Sequence, residues 1–303
     1  GGPAYTAYKT LTAVYLARQW EKRLNRPVIP VFWLADEDHD YEEVNSITLL
    51  HGNETRTVGL PGLHNHRPPV SELALPEELN QVRDSARAIM PGTDFSNQLW
   101  DMLDACFKPG VRFDQAFGNF IAALFSRHGL VLAGSNTKPV KQLAGEHLKT
   151  AITSADEVRE ALERQSSGIK THYRQQVTLY DSNLFYLDEP GRVKIVRNGK
   201  HWKTDTGKQW QTGELVEEIE QYPERFSPNV FLRPVLQDML LPTLGYVAGP
   251  GETAYYGQMK SMYRSFGVSM PVIFPRMSAT IIEPAIDRII QELPFKLYEK
   301  PNS

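Results

Sequence analysis

Apolar positions recur every third or fourth residue from Leu11 through Val14, Tyr15 and Leu16 to Trp20 and Leu24, with Pro27 just beyond. That period predicts an amphipathic helix, ended by the proline. The next stretch, VIPVFWLA at 28–35, is apolar throughout, the pattern of a short strand buried on both faces of a parallel sheet. The same kind of run returns at LVLAG (130–134), TLGYVAG (243–249) and PVIFPRM (271–277). Helical periods lie between them, over 76–90, 95–107, 112–128, from 138 onward, and over 229–241 and 252–266. SADE at 154–157 has the spacing of a capping box and predicts a new helix start there.

Two segments break this alternation. Residues 46–69 read as short strands with turns at HGN and LPG. NLFYLDEPGRVKIVRNGKHWKTD (183–205) alternates apolar and polar residues, and Asn198-Gly199 supplies the positive φ angles of a tight hairpin. Strand, helix and strand in this order imply right-handed crossovers and a parallel sheet. The fold class is therefore α/β, a Rossmann-like core formed by 1–150 and 226–282. A small β insert spans 46–75, and a helical and hairpin insert spans 151–225. A ligand crevice is expected at the carboxyl ends of the parallel strands.

Composition narrows the function classes. With 41% apolar residues among 303, the chain buries a sizeable core, and a net charge of −3 offers no broad attraction to nucleic acid or an anionic membrane. No apolar run approaches the ~18 residues of a membrane helix. The single cysteine, Cys106, lies on an apolar helix stripe and reads as a buried thiol, in keeping with the cytosol.

The candidate chemistry collects just past the strand ends. Asp36, Glu37, Asp38, His39 and Asp40 follow the first strand. Adjacent carboxylates raise one another's pKa, and a histidine shuttles protons near neutral pH. A solvated acidic turn is the competing reading. No metal is expected, since consecutive side chains diverge and no familiar ligand spacing completes a shell. Gly249, Gly251 and Glu252 open a helix whose first amides suit an anion, although a simple reversing turn has the same composition. Asn229, Arg233 and Gln237 fall on one helix face beside Asp238, and Arg276 ends the last strand; either arginine suits a substrate carboxylate or an ion pair. Lys9 and Gly2, at the start of the first helix, are candidates for holding a nucleotide. His64 and His66 read as loop histidines.

GGPAYTAYK, PVFWLADEDHDYEEVN, FSPNVFLRPVLQDMLLPTLGYVAGPGETAYYGQ and MPVIFPRMS, in this order, resemble the bacillithiol-biosynthesis cysteine-adding enzyme family, the cysteine ligases. The resemblance spans nearly the whole chain. It implies a ligase that adds cysteine to glucosaminyl malate, forming an amide, with ATP activating a carboxylate. It also implies a core like that of class I aminoacyl-tRNA synthetases, a coiled coil starting within 283–303, and a homodimer. Of the acidic block, Asp38 and His39 are expected closest to the chemistry, with Glu37 and Asp40 orienting them. Glu252 would grip the ammonium of cysteine.

The chain opens without an initiator methionine and reads as a piece of something longer. The family pattern has a further strand ahead of GGP and a coiled coil beyond Ser303. It also has an aspartate where this chain has Gly134, and a small hydroxyl residue where this chain has Asp36. The same carboxylates would also suit a nucleotidyltransferase or a metal-dependent hydrolase, and a core without its first strand would suit a binding scaffold.

Overall fold

The computed structural model describes residues 3–52, 54–62, 68–189 and 191–293. Helix α1 (Pro3–Leu24) leads to strand β1 (Val31–Leu34) and a hairpin of β2 (Ser46–His51) and β3 (Glu54–Gly59). Helices α2 (Leu79–Ile89), α3 (Ser96–Cys106) and α4 (Phe113–Phe125) follow, then β4 (Val131–Gly134), α5 (Lys138–Thr153) and α6 (Ala155–Lys170). The second insert holds β5 (Leu184–Asp188), β6 (Gly191–Lys194), β7 (Val196–Asn198), β8 (His201–Lys203), β9 (Gln209–Gln211) and α7 (Thr212–Gln221). The chain returns through β10 (Phe226–Pro228), α8 (Leu232–Leu240), β11 (Gly245–Ala248), α9 (Pro250–Ser265), β12 (Val272–Pro275) and α10 (Pro284–Glu292).

The parallel core is two strand pairs rather than one continuous sheet. β1 pairs with β4, Leu34 opposite Gly134, and β11 pairs with β12, Ala248 opposite Pro275. Among the described residues no ladder joins the pairs. β1 is consequently half-buried along its length, where the sequence predicts burial on both faces. Each pair keeps an open edge, and an open edge admits water.

Helix α1 joins the two pairs. Val14 packs with Ile121, Phe125 and Leu130, against Phe32 of β1 and Leu132 of β4. Burying a side chain of that size contributes about 1.5–3 kcal/mol. On the other side, Trp20 meets Phe274 of β12 edge-on at 5.0 Å. Gly245 of β11 makes room for it, since a Cβ there would come within 2.4 Å of the indole. The Thr12 hydroxyl accepts a hydrogen bond from the Met277 amide at 3.0 Å.

The larger core lies beneath the second insert. Leu148 and Ile152 of α5, Leu162 of α6, Tyr186 of β5, Trp202 of β8, Val235 of α8 and Met259 of α9 share one buried cluster. β10 and β6 flank β5 in an antiparallel sheet, which brings β6 beside the entry to α8.

Two local expectations are corrected. Ser154 makes no side-chain cap. It is the only residue between α5 and α6, its amide spent on the Thr150 carbonyl and its carbonyl on the Val158 amide, so the helices follow one another without a capping turn. In the hairpin, Asn198 is not in the left-handed region but pairs with His201. The loop is Gly199-Lys200, and only Gly199, at φ 63°, needs a positive angle, as in a two-residue turn with glycine first. Cys106 is buried as expected. Gly2, His64 and His66 lie outside the described residues.

Candidate active site at the strand ends

The acidic loop after β1 divides into an inward and an outward half. Asp36 turns back onto the end of β4, where Oδ1 accepts from the Ser135 amide at 3.0 Å, the Ser135 hydroxyl at 3.2 Å and the Asn136 amide at 3.2 Å. Burial raises its pKa, and the backbone donors only partly counter that. The carboxylate fills the space over Gly134: a Cβ at 134 would come within 2.3 Å of Asp36 Oδ2. Asp36, just past the end of β1, thus occupies the space beside β4 that a side chain at 134 would need.

Glu37 forms a buried ion pair with Lys141 of α5 at 2.5 Å, their side chains 3% and 4% exposed. Lys141 also donates to the Phe226 carbonyl at 2.6 Å. Burial by itself raises the Glu37 pKa, but the adjacent ammonium outweighs it and holds the carboxyl below its ordinary range. Burial lowers the Lys141 pKa, with Glu37 pulling the other way. This pair ties the loop to α5 and β10.

Asp38, His39 and Asp40 face the open side. Asp38 lies 3.4 Å from Arg233 Nη1 of α8 and 3.7 Å from Arg192 Nη1 of β6. Burial raises its pKa, and the two guanidiniums more than reverse that, so it stays ionised. Arg192 is itself desolvated, with a side chain 6% exposed and a pKa lowered to about 10, burial being the main cause. It donates through Nη2 to the Pro228 carbonyl, lies 4.1 Å above the Phe185 ring, and directs Nη1 to His39 Nδ1 at 3.5 Å. His39 Nε2 faces Asp40 Oδ1 at 3.9 Å. Side-chain atoms of Asp38, His39 and Asp40 come within 4.8 Å of one another, but two guanidiniums beside Asp38 oppose a cation there.

The turn after β11 gathers a second group of charges at the end of a parallel strand. Gly249 and Pro250 start α9, and Glu252 reaches back to the Gly249 amide at 2.8 Å. The other Glu252 oxygen takes Lys9 Nζ at 2.6 Å and the Tyr246 hydroxyl at 2.5 Å. Burial raises the Glu252 pKa, and Lys9 outweighs it and lowers it. Tyr246 is raised well above its ordinary value by burial. The carboxylate expected to grip a substrate ammonium therefore already grips Lys9. Gly251 stands in open space, with Gln176 Nε2 at 4.0 Å the nearest atom to an added Cβ. Arg276 rests on the Tyr5 ring at 4.2 Å, beside Gly249.

Of the α8 candidates, only Arg233 reaches the loop. Asn229 is buried and caps the helix, its side-chain oxygen accepting from the Phe231 and Leu232 amides at 3.0 Å. Gln237 and Asp238 are buried too, Asp238 holding the Tyr263 hydroxyl at 2.5 Å and the Gln237 amide at 3.2 Å. Burial raises the Asp238 pKa.

Sequence reasoning missed Lys141 and Arg192. Lys141 did leave a signal: it falls on the stripe Lys141, Ala144, Leu148, Ala151 that α5 buries, and a lysine at such a position needs a partner. Arg192 left none, being one cation among several in an alternating strand.

With this geometry in place, the similarity to known proteins becomes specific. The model of the family described as bacillithiol biosynthesis BshC, N-terminal Rossmann-like domain, matches residues 1–277. The chain belongs to that family. Among curated relatives, "Putative cysteine ligase BshC" of Salinibacter ruber is 33% identical over 301 residues, 96% of this chain and 54% of the relative. The protein of the same name from Bacillus licheniformis is 33% identical, covering 98% of this chain and 56% of the relative. That of Chlorobaculum tepidum is 34% identical, covering 96% and 53%. The chain thus spans about half the length of the curated relatives it matches. The Rossmann-like class expected from the strand and helix order agrees with the family, and among the described residues no helix is long and apolar enough to cross a membrane.

Proposed function

We propose that this chain is the catalytic core of a ligase that joins cysteine to glucosaminyl malate through an amide bond, with ATP activating the carboxylate. The family membership and the cysteine ligase name of the relatives support the reaction class. The single observation that carries the site is Asp38 and His39, held between Arg192 and Arg233 at the carboxyl end of β1. Such a cluster offers an ionised acceptor, an imidazole and two cations to a substrate that carries both amine and carboxylate groups. ATP would supply the leaving group that makes a carboxylate reactive. Arg276 and Lys9, on the β12 and α1 side, are the cations suited to its phosphates, Lys9 on release from Glu252. A class I synthetase-like core, a coiled coil beyond α10, a homodimer and a cytosolic setting complete this reading.

The test incubates the full-length protein with ATP, cysteine and glucosaminyl malate and follows bacillithiol by mass spectrometry. Product formation is expected, and no product with any nucleotide would overturn the assignment. His39→Ala is expected to lower turnover roughly a hundredfold, the loss of a positioned acid–base group, with little change in thermal stability.

A further inference from the structure

We propose that Asp38 and Arg233 form an amino-acid subsite, in which Asp38 Oδ2 takes the ammonium of a free amino acid and the Arg233 guanidinium takes its carboxylate. On the ligase reading, on which this rests, the amino acid is cysteine. The ion pairs at the strand ends are not alike. Glu37 and Lys141 meet at 2.5 Å, and Glu252 and Lys9 meet at 2.6 Å, with the Tyr246 hydroxyl on the same Glu252 oxygen. Those two pairs are closed. Asp38 and Arg233 meet only at 3.4 Å, longer than the ~2.7–2.9 Å of a good charge-assisted hydrogen bond, and their side chains are 35% and 22% exposed. A guanidinium has donors in a fork, and among the described residues the Arg233 side chain spends one of them, on Asp38. Asp38 in turn gives Oδ1 to the His39 amide at 2.9 Å and leaves Oδ2 to that one long contact. This pair is therefore open to a ligand.

The charge balance selects the ligand class. Arg192 and Arg233 act on Asp38, and Arg192 also feels Asp40, so two cations already offset two carboxylates. A dicarboxylate would bring a surplus of negative charge to a partly desolvated place, which is costly. An amino acid brings none, being a zwitterion near neutral pH. Its ammonium and carboxylate flank one carbon, as Asp38 and Arg233 flank each other, so the four groups can alternate in sign around a ring. The carboxylate can then use two parallel donors of the Arg233 fork. Arg192 cannot serve in its place, because its buried side chain is engaged by the Pro228 carbonyl and the Phe185 ring. It stays 3.7 Å from Asp38 Oδ1, so Asp38 keeps a cation beside it when Arg233 turns to the ligand. The ammonium contact expected at Glu252, which holds Lys9, thus moves to Asp38.

Calorimetric titration of the full-length protein with L-cysteine, cysteamine and 3-mercaptopropionate reads both halves of the subsite without turnover. Cysteamine lacks the carboxylate, and 3-mercaptopropionate lacks the ammonium. The parent should bind cysteine roughly ten- to a hundredfold more tightly than either analogue, the scale of one charged hydrogen-bonding group. In Arg233→Met the affinity for cysteine should fall to that for cysteamine, which itself changes little. In Asp38→Asn it should fall to that for 3-mercaptopropionate, which binds no worse than it does to the parent. Arg233→Lys, a point charge without the fork, should restore part of the preference for cysteine over cysteamine. A parent that binds cysteine no better than either analogue overturns the proposal before any variant is made. So does a folded Arg233→Met that still prefers cysteine to cysteamine as the parent does. The expected binding pattern in a protein that forms no bacillithiol would sink the ligase assignment and leave the amino-acid subsite standing. Bacillithiol formed by a parent that lacks the pattern would do the reverse.

Discussion

The loop Asp36–Asp40 and the turn Gly249–Glu252 each follow the last residue of a parallel strand, and each gathers charge at the same end of the core. They settle that charge differently. Glu252 takes two of its contacts from its own neighbourhood, the Gly249 amide three residues before it and the Tyr246 hydroxyl six before it, and only its ion pair, with Lys9 of α1, from 243 residues away. The carboxylates of the acidic loop depend on groups far along the chain, with Lys141 lying 104 residues from Glu37 and Arg233 lying 195 residues from Asp38. The backbone and hydroxyl contacts of that turn form locally, so its shape persists even when the Lys9 ion pair is lost. A loop held by remote partners is rigid only when the whole fold, insert included, is in place, and desolvation makes each missing partner expensive.

The sharpest way to break this contrast is Lys141→Met. It strands the Glu37 carboxylate in the interior, and about 3–5 kcal/mol of stability should be lost in urea unfolding. The double variant Glu37→Gln with Lys141→Met should recover a large part of that loss, because both partners are then gone. If the two substitutions simply added, the pair would not be the fastener described. At the other strand end, Glu252→Gln keeps the shape of the turn but removes the charge facing Lys9, and about 1.5–3 kcal/mol is expected for the lost charge-assisted contacts. A cost equal to that of Lys141→Met would erase the difference between the two regions.

A subtler separation lies within the loop, between neighbours whose pKa values move in opposite directions. Glu37 is held below its ordinary 4.5, so its contribution to stability is present above that value and is lost as pH falls through the lower folded-state value. Asp36 is raised above 3.8, so its contribution is full below that value and is lost as pH rises through the higher folded-state value. Thermal melts at descending pH should therefore show a shallower acid loss for Glu37→Gln and a steeper one for Asp36→Asn than for the parent. Parallel curves would contradict the assignments. The smallest effect belongs to Gly251→Ala, which meets open space in the first turn of α9 and should raise stability by about 0.5–1 kcal/mol. The same variant with weakened substrate binding would show that a ligand approaches the backbone there after all.

How much of this was legible in the sequence follows the same division. Pro250 after Gly249 and Glu252 two residues on mark a helix start by local rules, and a helix begins there. The β1 and β4 runs were visible as apolar stretches, but their half-buried state was not, since an open edge depends on what lies beside a strand and not on its own residues. The acidic loop announced itself through its density of carboxylates. Which of them turn inward and which outward did not, because Lys141 of α5 meets Glu37, and Arg192 of β6 meets Asp38, only through tertiary packing. Asn229, Gln237 and Asp238 show the converse: the helix spacing that groups them with Arg233 is real, yet burial gives them a cap and a hydrogen-bonded chain to Tyr263.

The contact between Asp36 and Gly134 has a bearing on how this site is able to vary. A side chain at 134 collides with Asp36 Oδ2, so the two positions behave as one locus with room for a single carboxylate. Any route that moves the acid from one strand to the other has an order: shortening residue 36 first passes through a protein with an empty but tolerable space, whereas enlarging residue 134 first passes through a clash. Substitutions at the two positions are thus coupled, and a side chain at 134 requires the Asp36 carboxylate to move off its Ser135 and Asn136 donors.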